Sequence, residues 1–345
     1  MSKMKMKYSI GAILGAALLI GCETNVPSEA PVAPAPSQAA AAPEPASVIN
    51  APETVEDQLA EIQASYERAQ LTNGAGSPLM WTLKDSDTTI HLFGTVHILR
   101  PETEWRSPAF EAAFAAADKL VLEADTASPE AQQSLAALIP KYSIFQDGQT
   151  LTGVLDDEDE PVVEAALASL NIPIAAMDTV KPWFVGLQMS VLQIVQAGYD
   201  PQSGLEAILT AEANEAGKSF GYLETAEDQF EILAGGDLED QIDGLVFASE
   251  TLEFGPTLLD GLVSEWADGD LAGLGEIVAN ANAFGGEQAY NDLLVKRNQN
   301  WVPQIKAMLE EPGTVFVAVG AAHLAGDDSV ITMLRNEGLE LAGPK

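Results

Sequence analysis

The sequence predicts an α/β (or α+β) fold: a central mixed β-sheet with a large helical insertion or cap, and a Gly-x-x-His motif at two strand ends. Three observations predict it. Residues 119–124 (KLVLEA) and 314–319 (TVFVAV) are short apolar runs of the kind that form buried strands. Such runs alternate with segments of helical periodicity, which is the pattern of helices packed on a sheet. The long middle of the chain carries helical periodicity broken by a single short strand pattern, so it reads as an insertion.

Taken in order, residues 53–70 place Val55, Leu59, Ile62 and Tyr66 at helical spacing, and Asn73-Gly74-Ala75-Gly76-Ser77-Pro78 ends that helix. Residues 79–83 and 88–93 flank Lys84-Asp85-Ser86-Asp87 in a hairpin pattern. Ser107 and Pro108 are an N-cap and a first helical residue for a helix over 107–118. The strand 119–124 follows, then helices over 128–217, a strand over 218–224 (KSFGYLE) and more helix over 226–309 with Gly-rich joints. After strand 314–319 come a helix over 327–336 and a last strand over 339–342. No internal repeat of fixed period is present.

The N-terminal region has a different character. Lys3, Lys5 and Lys7 precede an apolar run over 10–20, which is too short to span a bilayer and has the form of a signal-peptide core. It closes on Leu19-Ile20-Gly21-Cys22, which resembles a lipobox with Cys22 as the lipidation site. Cys22 is the one cysteine of the chain, so no intrachain disulfide can form. Residues 22–52 are rich in Ala, Pro, Ser and Val and cannot bury enough surface to offset their ordering entropy, so they read as a disordered tether. The expected organisation is therefore a signal peptide over 1–21, a tether over 22–52 and one folded domain over 53–345, held by lipid at the cell envelope. Glu23, where Asp would favour inner-membrane retention, points to the outer membrane. A hydrophobic fraction of 47% supports a substantial core, and a formal charge of −36 disfavours nucleic acid as a partner, because phosphate contacts need clustered Lys and Arg.

The chain has three histidines, and two of them end the same local pattern. Gly94-Thr95-Val96-His97 follows the strand 88–93, and Gly320-Ala321-Ala322-His323 follows the strand 314–319. In each, the glycine is expected to let the backbone turn off the strand and present the histidine beyond its carboxyl end. Open α/β sheets place their ligands there. Glu123, near the end of strand 119–124, fits the same geometry, since a carboxylate in an apolar run is costly unless paired or bound to metal. Two His and one Glu can hold a divalent transition metal (Mn, Co, Zn or Fe) with positions left open for water. Such a metal activates water and polarises a carbonyl, both of which hydrolysis needs. Each histidine alone reads more readily as a hydrogen-bonded strand-end residue; the repetition carries the signal.

These elements resemble the TraB/PrgY/GumN family, which also includes the Tiki proteases. The likeness runs over about 79–338. It covers Phe93-Gly94-Thr95-Val96-His97, Leu122-Glu123, Lys181-Pro182-Trp183, Gly198-Tyr199-Asp200, Leu223-Glu224-Thr225 with Gln229, Arg297-Asn298-x-x-Trp301, and Val319 through Gly326. His91 departs from the pattern, standing where an aromatic or aliphatic residue is expected. The resemblance implies a metal-dependent hydrolase acting on a peptide or protein. His97, Glu123 and His323 would be the metal ligands or their immediate partners, and catalysis would use these three with Arg297 steadying an oxyanion. Glu224 is a second candidate carboxylate, or else a residue at the start of the helix that follows it; Trp183 and Trp301 read as core. The structurally similar erythromycin esterases imply a metal-free alternative with histidine as general base. The pheromone-associated PrgY branch implies a binding protein without turnover.

Overall fold

A computed structural model describes residues 54–344 of the chain. The expected signal peptide, Cys22 and the tether lie outside the described residues. The sheet has six strands: β1 (Met80–Lys84), β2 (Thr88–Thr95), β3 (Lys119–Leu122), β4 (Ser219–Tyr222), β5 (Gly313–Gly320) and β6 (Leu341–Ala342). Their order is β4-β3-β5-β2-β1-β6. The four strands β4, β3, β5 and β2 are parallel, and β1 pairs antiparallel with both β2 and β6. The sheet is mixed, as expected.

The chain moves outward from β2 to β3 and β4, then returns to place β5 between β3 and β2. That insertion creates a switch point in the strand order, and the carboxyl ends of β2, β3, β4 and β5 all open on the same edge. The register sets them level: Thr95 lies opposite Gly320, and Leu122 opposite Tyr222.

Alternation along β5 builds two cores. Val315, Val317 and Val319 face one side with Ile90, Leu92, Trp301 and Leu334. Phe316 and Ala318 face the other with Phe93, Phe110, Leu205 and Trp266. Helices therefore cover both faces, which explains why β5 reads as a continuous apolar run rather than an alternating one. A third core, built on Leu151, Leu167, Val185, Met189 and Leu245, belongs to the helical insertion between β3 and β5.

Local chemistry fixes the boundaries. Ser107 accepts from the Phe110 N–H and Pro108 opens the helix Pro108–Ala116. Asp85 accepts from the N–H groups of Asp87 and Thr88, closing the β1–β2 turn. The strand expected to reach residue 124 stops at Leu122, because the Glu123 carbonyl takes the N–H groups of Leu223 and Glu224 beyond the end of β4. The helix expected from 327 starts at Val330, where the Ser329 hydroxyl accepts from the Thr332 N–H.

Candidate active site

Each parallel strand delivers one side chain to the switch-point edge: His97 after β2, Glu123 after β3, Glu224 after β4 and His323 after β5. Arg297 enters from the helix Lys296–Ala307, which packs over this edge. The four residues expected to carry chemistry, His97, Glu123, Arg297 and His323, thus meet in space. Glu224 joins them through Arg297 rather than capping a helix. The cap of the helix Ala226–Leu233 is Thr225, in a reciprocal pair with Asp228.

Arg297 is the hub. Its Nε donates to Glu224 (3.1 Å), and Nη2 donates to Glu123 Oε2 (2.5 Å) and Glu224 Oε1 (2.6 Å). Nη1 donates to the Leu293 carbonyl (3.0 Å) and contacts His323 Nε2 at 3.1 Å. All five N–H groups of the guanidinium are thereby used. The Leu293 carbonyl lies in a π-helical turn, Asn291–Val295, inserted just before Arg297. Arg297 also lies over the Trp301 ring, whose Nε1 donates to Glu224 Oε2 at 3.2 Å. Glu224 further accepts from Gln229 Nε2.

His323 is held from both sides. Its Nδ1 lies 2.6 Å from Asn298 Oδ1, an acceptor, and its Nε2 faces the Arg297 guanidinium, a donor, so the proton sits on Nδ1 and Nε2 carries the lone pair. Burial, then the Arg297 charge, holds this imidazole well below its ordinary pKa, so it is neutral. Burial alone would raise the Glu123 carboxyl, but Arg297, assisted by His97 and the Gly320 N–H, holds it down to about 2. Glu224 moves the other way, raised by burial and by the Glu123 charge against the pull of Arg297. Two buried carboxylates share one guanidinium.

His97 stands apart from this rigid cluster. Its side chain keeps 17% exposure, and Nδ1 lies 2.9 Å from Glu206 Oε1. Burial opposes charge on this ring, but the Glu206 carboxylate, through charge and hydrogen bond, and then Glu123 outweigh it and raise its pKa to about 9. Thr95 donates a short hydrogen bond to the same Glu206 oxygen. Glu206 reaches His97 because the helix Leu205–Ala216 begins directly against the His97 backbone. The Leu205 N–H donates to the Val96 carbonyl, and a Cβ on Gly204 would stand 1.9 Å from the His97 oxygen, so only glycine fits there. Asp200 ties the same loop down, its N–H donating to the Leu99 carbonyl at 2.8 Å.

The glycines of the two motifs work differently from expectation. Neither Gly94 nor Gly320 has a positive φ; what they provide is room. A Cβ on Gly320 would lie 3.3 Å from both Glu123 Oε1 and His97 Nε2, and 3.5 Å from His323. The paired strands are also offset by one residue, with Gly94 opposite Val319. His91 points elsewhere: its Nδ1 contacts Thr82 Oγ1 on β1 at 3.1 Å.

The donor types match a transition metal, and His97 Nε2 and Glu123 Oε1 face the same space above Gly320. The third donor is engaged elsewhere, because the His323 lone pair accepts from Arg297. Glu123 is likewise engaged, by Arg297 and by the Gly320 N–H at 2.7 Å. No group of three or more His, Cys, Asp or Glu among the described residues is arranged to hold a metal. Among the described residues, the cation paired with Glu123 and Glu224 is the Arg297 guanidinium.

Sequence reasoning missed Glu206, Asn298 and Thr95. Asn298 stood within a quoted motif without a role. Glu206 is one of 52 acidic residues, and nothing in its own neighbourhood marks it; the signal was Gly204.

The sequence profile of the TraB/PrgY/gumN family matches residues 79–342. The chain is 25% identical to the protein YbaP of Escherichia coli (strain K12), itself described as uncharacterised, over 248 residues, 71% of this chain and 87% of YbaP. The Shigella flexneri protein of the same name matches equally. No solved structure matches. With the profile covering most of the chain, including both Gly-x-x-His motifs, the buried glutamate and the arginine that links them, the protein belongs to the TraB/PrgY/gumN family.

Proposed function

We propose that the protein is a hydrolase of carbonyl compounds, acting on a peptide or protein, in which His97 handles the proton of the attacking water. The observation that carries this is the His97–Glu206 pair. It joins an imidazole accessible on one side to a carboxylate that fixes its tautomer and orientation, at the edge where a parallel sheet opens. In its neutral form, which predominates only above about pH 9, His97 has Nε2 free to accept a proton from water as the oxygen attacks the carbonyl carbon. The resulting imidazolium, stabilised by Glu206, returns that proton to the leaving nitrogen or oxygen as the bond breaks. Glu123, Arg297, His323, Asn298 and Glu224 form the wall that fixes this geometry, and Arg297 contributes positive potential near the developing oxyanion. With its five N–H groups engaged, Arg297 acts through its field unless one contact releases.

A second reading is the metal-dependent hydrolase with His97, Glu123 and His323 as ligands for Mn, Co, Zn or Fe. Its support is the donor chemistry and the shared orientation of His97 Nε2 and Glu123 Oε1 above Gly320; it requires Arg297 to release His323. The envelope location, with Cys22 as the lipid anchor in the outer membrane, is part of the proposal and rests on the basic, apolar and Gly21-Cys22 pattern of the N-terminus.

The experiment combines elemental analysis with peptide-cleavage screening of the purified protein, its His97→Ala and His323→Ala variants, and chelator-treated samples. Chelator-resistant hydrolysis lost in His97→Ala supports the first reading. Near-stoichiometric metal, lost with activity in both variants, supports the second. Tight peptide binding without turnover, unchanged by either substitution, would overturn both and leave a sequestering protein.

A further inference from the structure

His97 forms part of the wall of two cavities, one mainly apolar and one mixed. On one side a cavity of about 70 Å³ runs from Arg297, His323 and Gly320 between Leu259, Leu274 and Leu294. It shares Phe284 and Leu293 with a second, larger cavity of about 170 Å³, walled by Trp183, Leu187, Leu233 and Ala289. His97 also lines a cavity of about 340 Å³ of mixed character, where Leu122, Ala124 and Ala207 stand beside Gln132, Glu206 and Gln229. The free oxygen of Glu206, Oε2, is buried with no protein partner. A carboxylate on the cavity wall favours N–H donors and repels an anion.

We infer that the substrate is an N-acylated amine or peptide whose acyl residue is large and apolar and whose amine side carries N–H donors. This rests on the hydrolase reading of His97. The first carbons of an apolar group of roughly four to eight carbons occupy the 70 Å³ cavity and the rest extend past Phe284 and Leu293 into the larger one, while the amine side lies in the mixed cavity beside Glu206. The scissile C–N bond then passes His97 Nε2. Water adds to the carbonyl carbon, His97 carries its proton to the departing nitrogen, and a carboxylic acid leaves on the apolar side and an amine on the Glu206 side. No oxidant or co-reactant is needed.

The test uses N-acyl glycinamides from acetyl to octanoyl, with binding measured by calorimetry and hydrolysis by released amine. Each added methylene should raise affinity and kcat/KM about fourfold until the larger cavity is filled. N-acylglycines, which carry a carboxylate on the amine side, should bind at least tenfold more weakly. Ala289→Phe and, from a different helix, Leu233→Phe narrow the larger cavity outside the proton-transfer machinery. Both should keep the wild-type rate on the acetyl compound and lose the gain between butanoyl and octanoyl, with an unchanged melting temperature for at least one. Chain-length-independent binding and turnover, or variants that retain the full octanoyl gain, overturn the inference while leaving hydrolysis intact. Chain-length-dependent binding with no amine released in the wild type would instead sink the hydrolase reading and uphold the assignment of the cavities.

Discussion

Replacing Arg297 with Met tests whether the guanidinium is the cation that makes the buried cluster stable. The side chain is 5% exposed, as is that of Glu123, and that of Glu224 is 8% exposed, so removing the charge strands two carboxylates away from water. Breaking a buried ion pair by deleting one partner costs about 3–5 kcal/mol. A second route gives a similar size. The Glu123 carboxyl is lowered from 4.5 to about 2. At 1.36 kcal/mol per unit, that depression stabilises the native state by about 3 kcal/mol.

The sign of the pH dependence is the sharper observable. In the wild type the Glu123 contribution is present above pH 4.5 and lost as pH falls through about 2. Without Arg297, burial dominates and raises the carboxyl above its unfolded value. The variant therefore becomes less stable as pH rises toward neutrality and recovers on acidification. Denaturant unfolding followed by tryptophan fluorescence, at pH 5 and at pH 7, measures both effects. Arg297→Met should lose about 3–5 kcal/mol at pH 7 and less at pH 5, and adding Glu224→Gln should restore part of the deficit. Equal stability of variant and wild type at pH 7, with parallel pH dependence, would refute the reasoning.

Glu206→Gln should remove the charge that raises His97, so the limb of the kcat/KM profile near pH 9 should move down by at least one unit; an unmoved limb assigns that titration elsewhere. The same pair links to stability: the raised His97 pKa contributes fully below 6.5, and that contribution is lost as pH rises through about 9. Wild type should therefore lose stability between these values relative to Glu206→Gln in thermal melts at matched ionic strength. Asn298→Ala removes the acceptor that holds the proton on His323 Nδ1, so nitrogen-15 spectra should show the Nε2–H tautomer gaining population and activity falling at least tenfold. Gly320→Ala places a methyl 3.3 Å from both His97 Nε2 and Glu123 Oε1, and should cut kcat at least tenfold with a stability change within about 1 kcal/mol, read from paired kinetics and unfolding curves.

Some of this structure was legible because it is written in local pattern. The apolar run of β5 is valine-rich on one face and Phe316 with Ala318 on the other, so burial on both sides leaves a continuous hydrophobic signal. His97, Glu123 and His323 were visible because each follows a strand-forming run, and strand ends are where parallel sheets gather their side chains. The strand order was not legible. Nothing in β5 itself says that it inserts between β2 and β3, yet that insertion brings both histidines to one edge.

What sequence pattern could not give is which charges pair. Arg297 read as well as a helix-surface cation, because one helical turn does not reveal what lies beneath it. Here it lies under a π-helical turn, with two carboxylates from different strands against it. Glu206 was hidden for the same reason in reverse. Its helix begins with Gly204 pressed against the His97 carbonyl, and only that contact, made across the chain, turns an ordinary acid in a first helical turn into the partner of the imidazole. The site thus divides by physical origin. Strand ends bring the histidines and Glu123, which sequence periodicity reports. Helix docking brings Arg297, Glu206 and Asn298, which decide whether each imidazole is charged or neutral. His97 and His323 carry the same motif and end in opposite protonation states, so the motif alone fixes position, and the helices fix chemistry.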